Sequence, residues 1–159
     1  MKQKTSAAKP DKALKDLIRI SNATGKDTSL VQGGGGNTSV KTDDGKFMYI
    51  KASGTALKDM APNRGWRRLK RHNVLQIIQD KQLTTLDETA RETIIVNRLM
   101  SCCDDDQPKN NRPSVESHLH AFLGRCVIHL HPTAVGAYVN AKNAESLLEE
   151  LMRKEKFMS

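Results

Sequence analysis

The stretch from residue 112 to residue 132, RPSVESHLHAFLGRCVIHLHP, constrains this chain more than any other. It ends in a His-x-His pair, His129 and His131, set among Val127, Ile128 and Leu130. β-Branched and apolar neighbours favour a short strand. On a strand, side chains two apart share a face, so the spacing predicts two imidazoles turned toward one point. Such a pair can hold a divalent metal, with nitrogens about 2.0–2.1 Å from a zinc ion. An upstream pair, His118 and His120, has the same spacing in a different setting. SVESHLHAFL predicts a helix, where residues two apart diverge by about 200°, whereas Glu116 and His120, four apart, share a face. The second pair is therefore the metal candidate. His72 and His118 read as structural histidines, and His120 as a residue that orients Glu116 or packs behind the metal.

The remaining segments predict a mixed architecture. Residues 1–10 are lysine-rich, small and polar, the pattern of a disordered basic tail. Apolar residues at 13, 14, 17, 18 and 20 predict an amphipathic helix, with Asp11 as its cap and Gly25 as its end. Alternation around residues 39–41 and 47–51, separated by Asp43-Asp44-Gly45, predicts a β-hairpin. Four glycines, 33–36, precede it. Glycine permits positive φ and close backbone approach, so this loop can turn N–H groups toward an anion or serve as a flexible linker. No Gly-Lys-Ser/Thr follows it and no G-x-G-x-x-G can be placed on it. A second small, hydroxyl-rich turn, Ser53-Gly54-Thr55, closes the hairpin, and two such turns flanking one hairpin favour a phosphate cradle. Residues 66–81 predict a strand or short helix, and Thr85 or Asp87 caps a helix with an apolar stripe at 94, 95, 96, 99 and 100. Two further helices are expected over 133–140 and 144–154, and a frayed end after them. The mixture predicts an α/β (α+β-like) domain, a mainly antiparallel sheet with helices on both sides.

Composition removes several function classes. No run approaches the ~18 apolar residues of a membrane span, and residues 1–18 carry no apolar signal core, so a cytoplasmic protein is expected. Three cysteines, two of them adjacent, form neither a disulfide framework nor a zinc spacing. The net charge of +8 points toward nucleic acid. Its distribution argues against that: lysines 2, 4, 9, 12 and 15 crowd the N-terminus, and Arg64, Arg67, Arg68, Lys70 and Arg71 form one other cluster, read as a solvated face or anion site. Six aromatic residues are little material for base stacking. The three aspartates 104–106, in a Pro/Asn-rich loop, read as solvated rather than metal-binding.

GGGGNTSV, IKASGTAL, PSVESHLHAF and VIHLHP, in this order, resemble the motifs of the class II (zinc-dependent) aldolase/adducin family, within it the rhamnulose- and fuculose-phosphate aldolase-like branch. The resemblance covers residues 11–152 and extends the expected domain over 11–159. It implies a homo-oligomer, usually a tetramer. It also implies cleavage of a sugar 1-phosphate into dihydroxyacetone phosphate and an aldehyde, by zinc-stabilised enediolate chemistry. By that resemblance Gly36, Asn37, Ser53, Gly54 and Ser114 bind the substrate phosphate, Glu116 is the catalytic acid/base, and His129 and His131 bind Zn2+ or another divalent metal. The chemistry suits these residue types: a Lewis acid stabilises charge on a ketone oxygen and a carboxylate moves the proton beside it. Val115 stands where relatives place a second hydroxyl. No histidine follows His131, although the resemblance places a third ligand downstream. The sequence leaves three solutions: a ligand drawn from His120, His118 or His72, one from another subunit, or a fold incomplete at the C-terminus. It also leaves an alternative function, a catalytically silent adducin-like assembly domain.

Overall fold

Four short segments build a sheet, the first two buried on both faces and the outer two alternately, and helical segments supply its covers. A computed structural model describes residues 11–154; the expected basic tail over 1–10 and the frayed end lie outside the described residues. The first helix, α1 (Lys12–Gly25), begins where the Asp11 side chain accepts a hydrogen bond from the Ala13 N–H. It buries Ala13, Leu14 and Leu17. It ends at Gly25, where an added Cβ would fall 2.3 Å from the Lys58 nitrogen, so only glycine admits the close approach of residues 57–58.

The hairpin forms as expected: β1 (Asn37–Lys41) pairs antiparallel with β2 (Phe47–Lys51), Ser39 opposite Ile50. Next in the chain come β3 (Trp66–Lys70), the helices α2 (Arg71–Gln79), α3 (Glu88–Ser101) and α4 (Ser117–Phe122), and then β4 (Cys126–His129). β3 adds antiparallel to β2 and β4 antiparallel to β1, giving the order β3-β2-β1-β4. Both faces of the sheet are covered. Val40 and Tyr49 pack with Leu14, Leu17 and Leu57 on the α1 side. Met48, Ile50 and Leu69 pack on the other side with Val74 and Ile77 of α2, Leu99 of α3 and Ala121 of α4. The chain is thus an α/β domain with an antiparallel sheet between helices. Two more helices, α5 (Thr133–Val139) and α6 (Ala144–Lys154), follow β4 and bury no residue fully. No helix among the described residues is long and apolar enough to cross a membrane.

Some expectations change. Residues 66–79 are a strand and then a helix, because Leu69 points inward at strand spacing while Val74 and Ile77 do so at helical spacing. Asp87, not Thr85, caps α3, its side chain accepting from Ala90; of its apolar stripe only Leu99 is fully buried. The basic cluster and the aspartate loop are the main corrections. Arg67 and Asp105 form a pair with side chains 4% and 3% exposed, and Arg68 and Lys70 both meet Asp104. Asp104 and Asp105 are thus paired rather than simply solvated, and Arg67, Arg68 and Lys70 are not a free anion surface; Asp106 is exposed as expected. Asp105 also accepts from the Arg68 and Gln107 N–H groups, and Arg67 donates to the Asn111 carbonyl. This fastens the loop 104–114 to β3 and so fixes where Glu116 emerges.

Candidate metal and anion site

The site forms where β1, β4 and the start of α4 meet. β4 lies opposite β1 with Asn37 facing His129, so sheet register alone puts the buried carboxamide beside the imidazole. Glu116 arrives from the other direction. The Ser53 N–H donates to the Arg112 carbonyl and the Ser114 N–H to the Lys51 carbonyl, seating this segment alongside the end of β2. Glu116 then occupies the N-cap position of α4. The Asn37 amide donates to Glu116 Oε2 at 3.0 Å and also to Ser114 Oγ. His129 Nδ1 lies 3.3 Å from Glu116 Oε1, off the line of a hydrogen bond.

Two cations hold α4 in place. Lys41 donates from its buried Nζ to the carbonyls of His120 and Gly124, and Arg71 donates from Nε to that of Ala121. The His120 and Ala121 carbonyls belong to the last turn of the helix, where positive charge is favourable. Burial, with Arg71 nearby, pushes the Lys41 ammonium down to about 8. Held in this way, α4 turns His120 inward until it is fully buried, with Nδ1 2.9 Å from Ser39 Oγ. Burial pushes His120 down to about 4 against the pull of Glu116, so its imidazole is neutral.

Glu116, His120 and His129 each offer a ligand atom, all within 4.8 Å of one another. Five buried side-chain polar atoms among the described residues lack a partner, and three belong here: Asn37 Oδ1, His120 Nε2 and His129 Nδ1. An unpartnered buried polar atom costs about 1–3 kcal/mol, and a bound cation would remove that cost. The donor set, one carboxylate and two imidazoles, suits zinc.

The anion-binding residues are partly assembled. Gly36 adopts φ +69°, and a Cβ there would meet Val31 Cγ2 at 3.0 Å and Leu57 Cδ1 at 3.1 Å. Asn37 and Ser114 touch, while Ser53 and Gly54 form an exposed turn next to the Arg112–Ser114 segment. Lys51 was not among the expected residues. Its 5%-exposed side chain donates to the Gly34 carbonyl. Burial pushes its ammonium below the usual lysine range, and Glu116 draws it back up. Its sole sequence signal is a lysine ending an otherwise apolar strand just before Ala52-Ser53-Gly54. His131 departs from expectation in position: β4 ends at His129, and His131 lies beyond it, exposed, its ring stacked on His129 at 4.8 Å. It stands outside the Glu116–His120–His129 group. A cavity of about 660 Å³ opens beside these rings, lined by Gln32, Gly35, His129, His131, Thr133 and Val135 among others. A smaller one, about 230 Å³, lies between Glu116 and the Glu88, Arg91 and Ile95 side of α3.

Residues 15–158 match the Class II Aldolase and Adducin N-terminal domain. The chain is 34% identical over 155 residues to a Bacillus subtilis protein called "Uncharacterized oxidoreductase YuxG", covering 91% of this chain and 21% of that protein; it therefore spans about a fifth of that relative's length. Among solved structures it is similar to the N-terminal class II aldolase domain of a conserved protein from Thermoplasma acidophilum. The TM-score is 0.68 at 26% identity, over 96% of this chain and 70% of that one.

Proposed function

The chain belongs to the class II aldolase and adducin family, and from that premise we propose that it is a metal-dependent aldolase cleaving a phosphorylated ketose into dihydroxyacetone phosphate and an aldehyde. The observation that carries this reading is the convergence of Glu116 with two imidazoles whose inward nitrogens have no partner. A divalent cation bound there supplies Lewis-acid stabilisation of the charge that develops on the substrate's ketone oxygen. The chain's own residues do the rest. Glu116, steadied through Oε2 by Asn37, moves the proton at the carbon next to that oxygen. Gly36, Asn37, Ser53, Gly54 and Ser114, with Lys51 as the nearby cation, anchor the phosphate so that the reacting carbons reach Glu116. The cavity beside His129 and His131 takes the remainder of the substrate.

The word oxidoreductase in the relative's name describes a protein of which this chain matches about a fifth. The glycine run here offers no G-x-G-x-x-G on which hydride transfer could rest. A homo-oligomer is part of the reading, supported by the exposed Phe122, Leu119, Ile128, Val135 and Val139 around β4 and its neighbouring helices. The experiment is zinc analysis of the purified chain, with enzymatic detection of dihydroxyacetone phosphate released from a panel of ketose 1-phosphates. The expected outcome is stoichiometric zinc and triose phosphate from at least one substrate, both lost in His129→Ala. A folded chain with no zinc and no product from any of the panel would instead indicate a silent assembly domain.

A further inference from the structure

We propose that Gln32 and Thr133 are specificity-determining residues, which together read a hydroxyl on the aldehyde half of the substrate in the cavity beside His129 and His131. The inference rests on the aldolase reading above and deepens it. Among the described residues, the lining of that cavity of about 660 Å³ includes no carboxylate, ammonium or guanidinium. Val135 gives it an apolar surface, and the carboxamide of Asn140 is engaged at the end of α5, donating to the Gly136 carbonyl at 2.8 Å. With no such charge in the wall, selection between substrates falls to neutral hydrogen-bonding groups.

Gln32 and Thr133 supply a complementary pair of such groups. The Gln32 amide donates from Nε2 to Thr133 Oγ1 at 3.0 Å, across 101 positions of sequence. Gln32 keeps its carbonyl oxygen as an acceptor, and Thr133, having accepted, keeps its own hydroxyl hydrogen to donate. One alcohol group, donor and acceptor at once, satisfies both; a methyl or methylene in the same place satisfies neither. The pair is also well placed. The Thr133 N–H donates to the Ser29 carbonyl at 3.2 Å, which ties the start of α5 to the loop ahead of the glycine run. Gln32 leads into Gly33–Gly36 and Asn37, and Thr133 follows His131 and Pro132. The two segments that set Asn37 opposite His129 therefore position these side chains as well. His129 lines the cavity and lies 3.3 Å from Glu116 Oε1, so carbons extending from the reacting centre on that side meet the pair. Both side chains are exposed and water competes for them, which limits the discrimination to about tenfold, the scale of one net hydrogen bond. A sealed polar pocket would discriminate far more.

The test runs the reaction backwards, adding dihydroxyacetone phosphate to lactaldehyde or to propanal, two acceptors that differ by one hydroxyl. The quantity read is the ratio of their kcat/KM values, for the full zinc-supplied chain and three variants, with circular dichroism to establish folding. Wild type should favour lactaldehyde about tenfold. Thr133→Val and Gln32→Leu should bring the ratio close to unity through a selective loss with lactaldehyde, while Thr133→Ser, which keeps the hydroxyl, should hold the wild-type ratio. A wild type that does not distinguish the acceptors, or variants in which both rates fall alike, overturns the assignment and leaves an aldolase. Should Thr133→Val fail to fold, Gln32→Leu decides, since its side chain lies exposed in a loop. No addition to either aldehyde by wild type overturns the aldolase reading, and the assignment with it.

Discussion

Two buried polar clusters hold the two ends of the segment 104–116, and they are built on opposite plans. At the first, Asp105 accepts from Arg67, from the Arg68 N–H and from the Gln107 N–H, and Arg67 also reaches the Asn111 carbonyl. Asp105 and Arg67 are paired with each other and hydrogen-bonded to backbone besides, as a buried ion pair requires if desolvation is not to outweigh attraction, and one neighbouring atom, Gln107 Oε1, is buried without a partner. At the second, Glu116, His120 and His129 converge with Asn37, yet three polar atoms remain unpartnered. The first cluster is a fastener. The second brings unpartnered ligand atoms together at one point. Buried polarity alone therefore does not identify function; several unpartnered atoms converging with metal-ligating groups do.

The comparison breaks most readily at Glu116. Glu116→Gln keeps the shape and the Asn37 contact but removes the base, so aldol cleavage should fall by about 10²–10⁴-fold with the unfolding midpoint in urea little changed. A large loss of stability with activity intact would make the second cluster a fastener as well. Asp105→Ala should act in the opposite sense. It strands the buried Arg67 guanidinium and should cost about 3–5 kcal/mol, measured by urea unfolding; a loss below about 1 kcal/mol would deny the first cluster its role. Gly36→Ala sharpens the comparison on the loop that leads into Asn37. Its positive φ and the crowding at Val31 and Leu57 predict a cost of about 1–3 kcal/mol, together with weaker phosphate inhibition measured by titration.

The most gradual effect is on pH dependence. His120 sits at about 4 in the fold against an ordinary 6.5, so between those values the unfolded chain binds the proton and the folded one does not. Metal-free protein should thus lose stability as pH falls from 6.5 toward 4, by up to about 1.4 kcal/mol per pH unit, and be indifferent to this group above 6.5. In His120→Gln the decline should be shallower. An unchanged slope in that variant would mean that His120 is not buried neutral.

Much of the site was legible from local pattern. Asn37 after its glycines, Ser114-x-Glu116 and the strand entering His129 are short motifs whose geometry depends on neighbours in sequence. The hairpin and α1 were legible for the same reason, since period and turn residues specify them. Less visible was anything decided by which side of an element meets the sheet. His120 read as a residue that orients Glu116 or packs behind the metal, because the two share a helix face four residues apart. Its burial against Ser39 depends on Lys41 and Arg71, about 80 and 50 positions away in sequence, gripping the end of α4. Likewise, the aspartate loop looked solvated because no local signal pairs Asp105 with Arg67 across 38 positions.

The amino-acid sequence by itself determined the elements, the glycine turns and the presence of one carboxylate and several imidazoles within a single short stretch. Only the tertiary structure decided which imidazole joins His129 at Glu116. That choice follows from antiparallel register and helix docking, in which long-range contacts fix side-chain direction. His131, two residues along the chain from His129, lies past the last strand pair, whereas His120, nine residues back, is carried inward by the helix packed against β1.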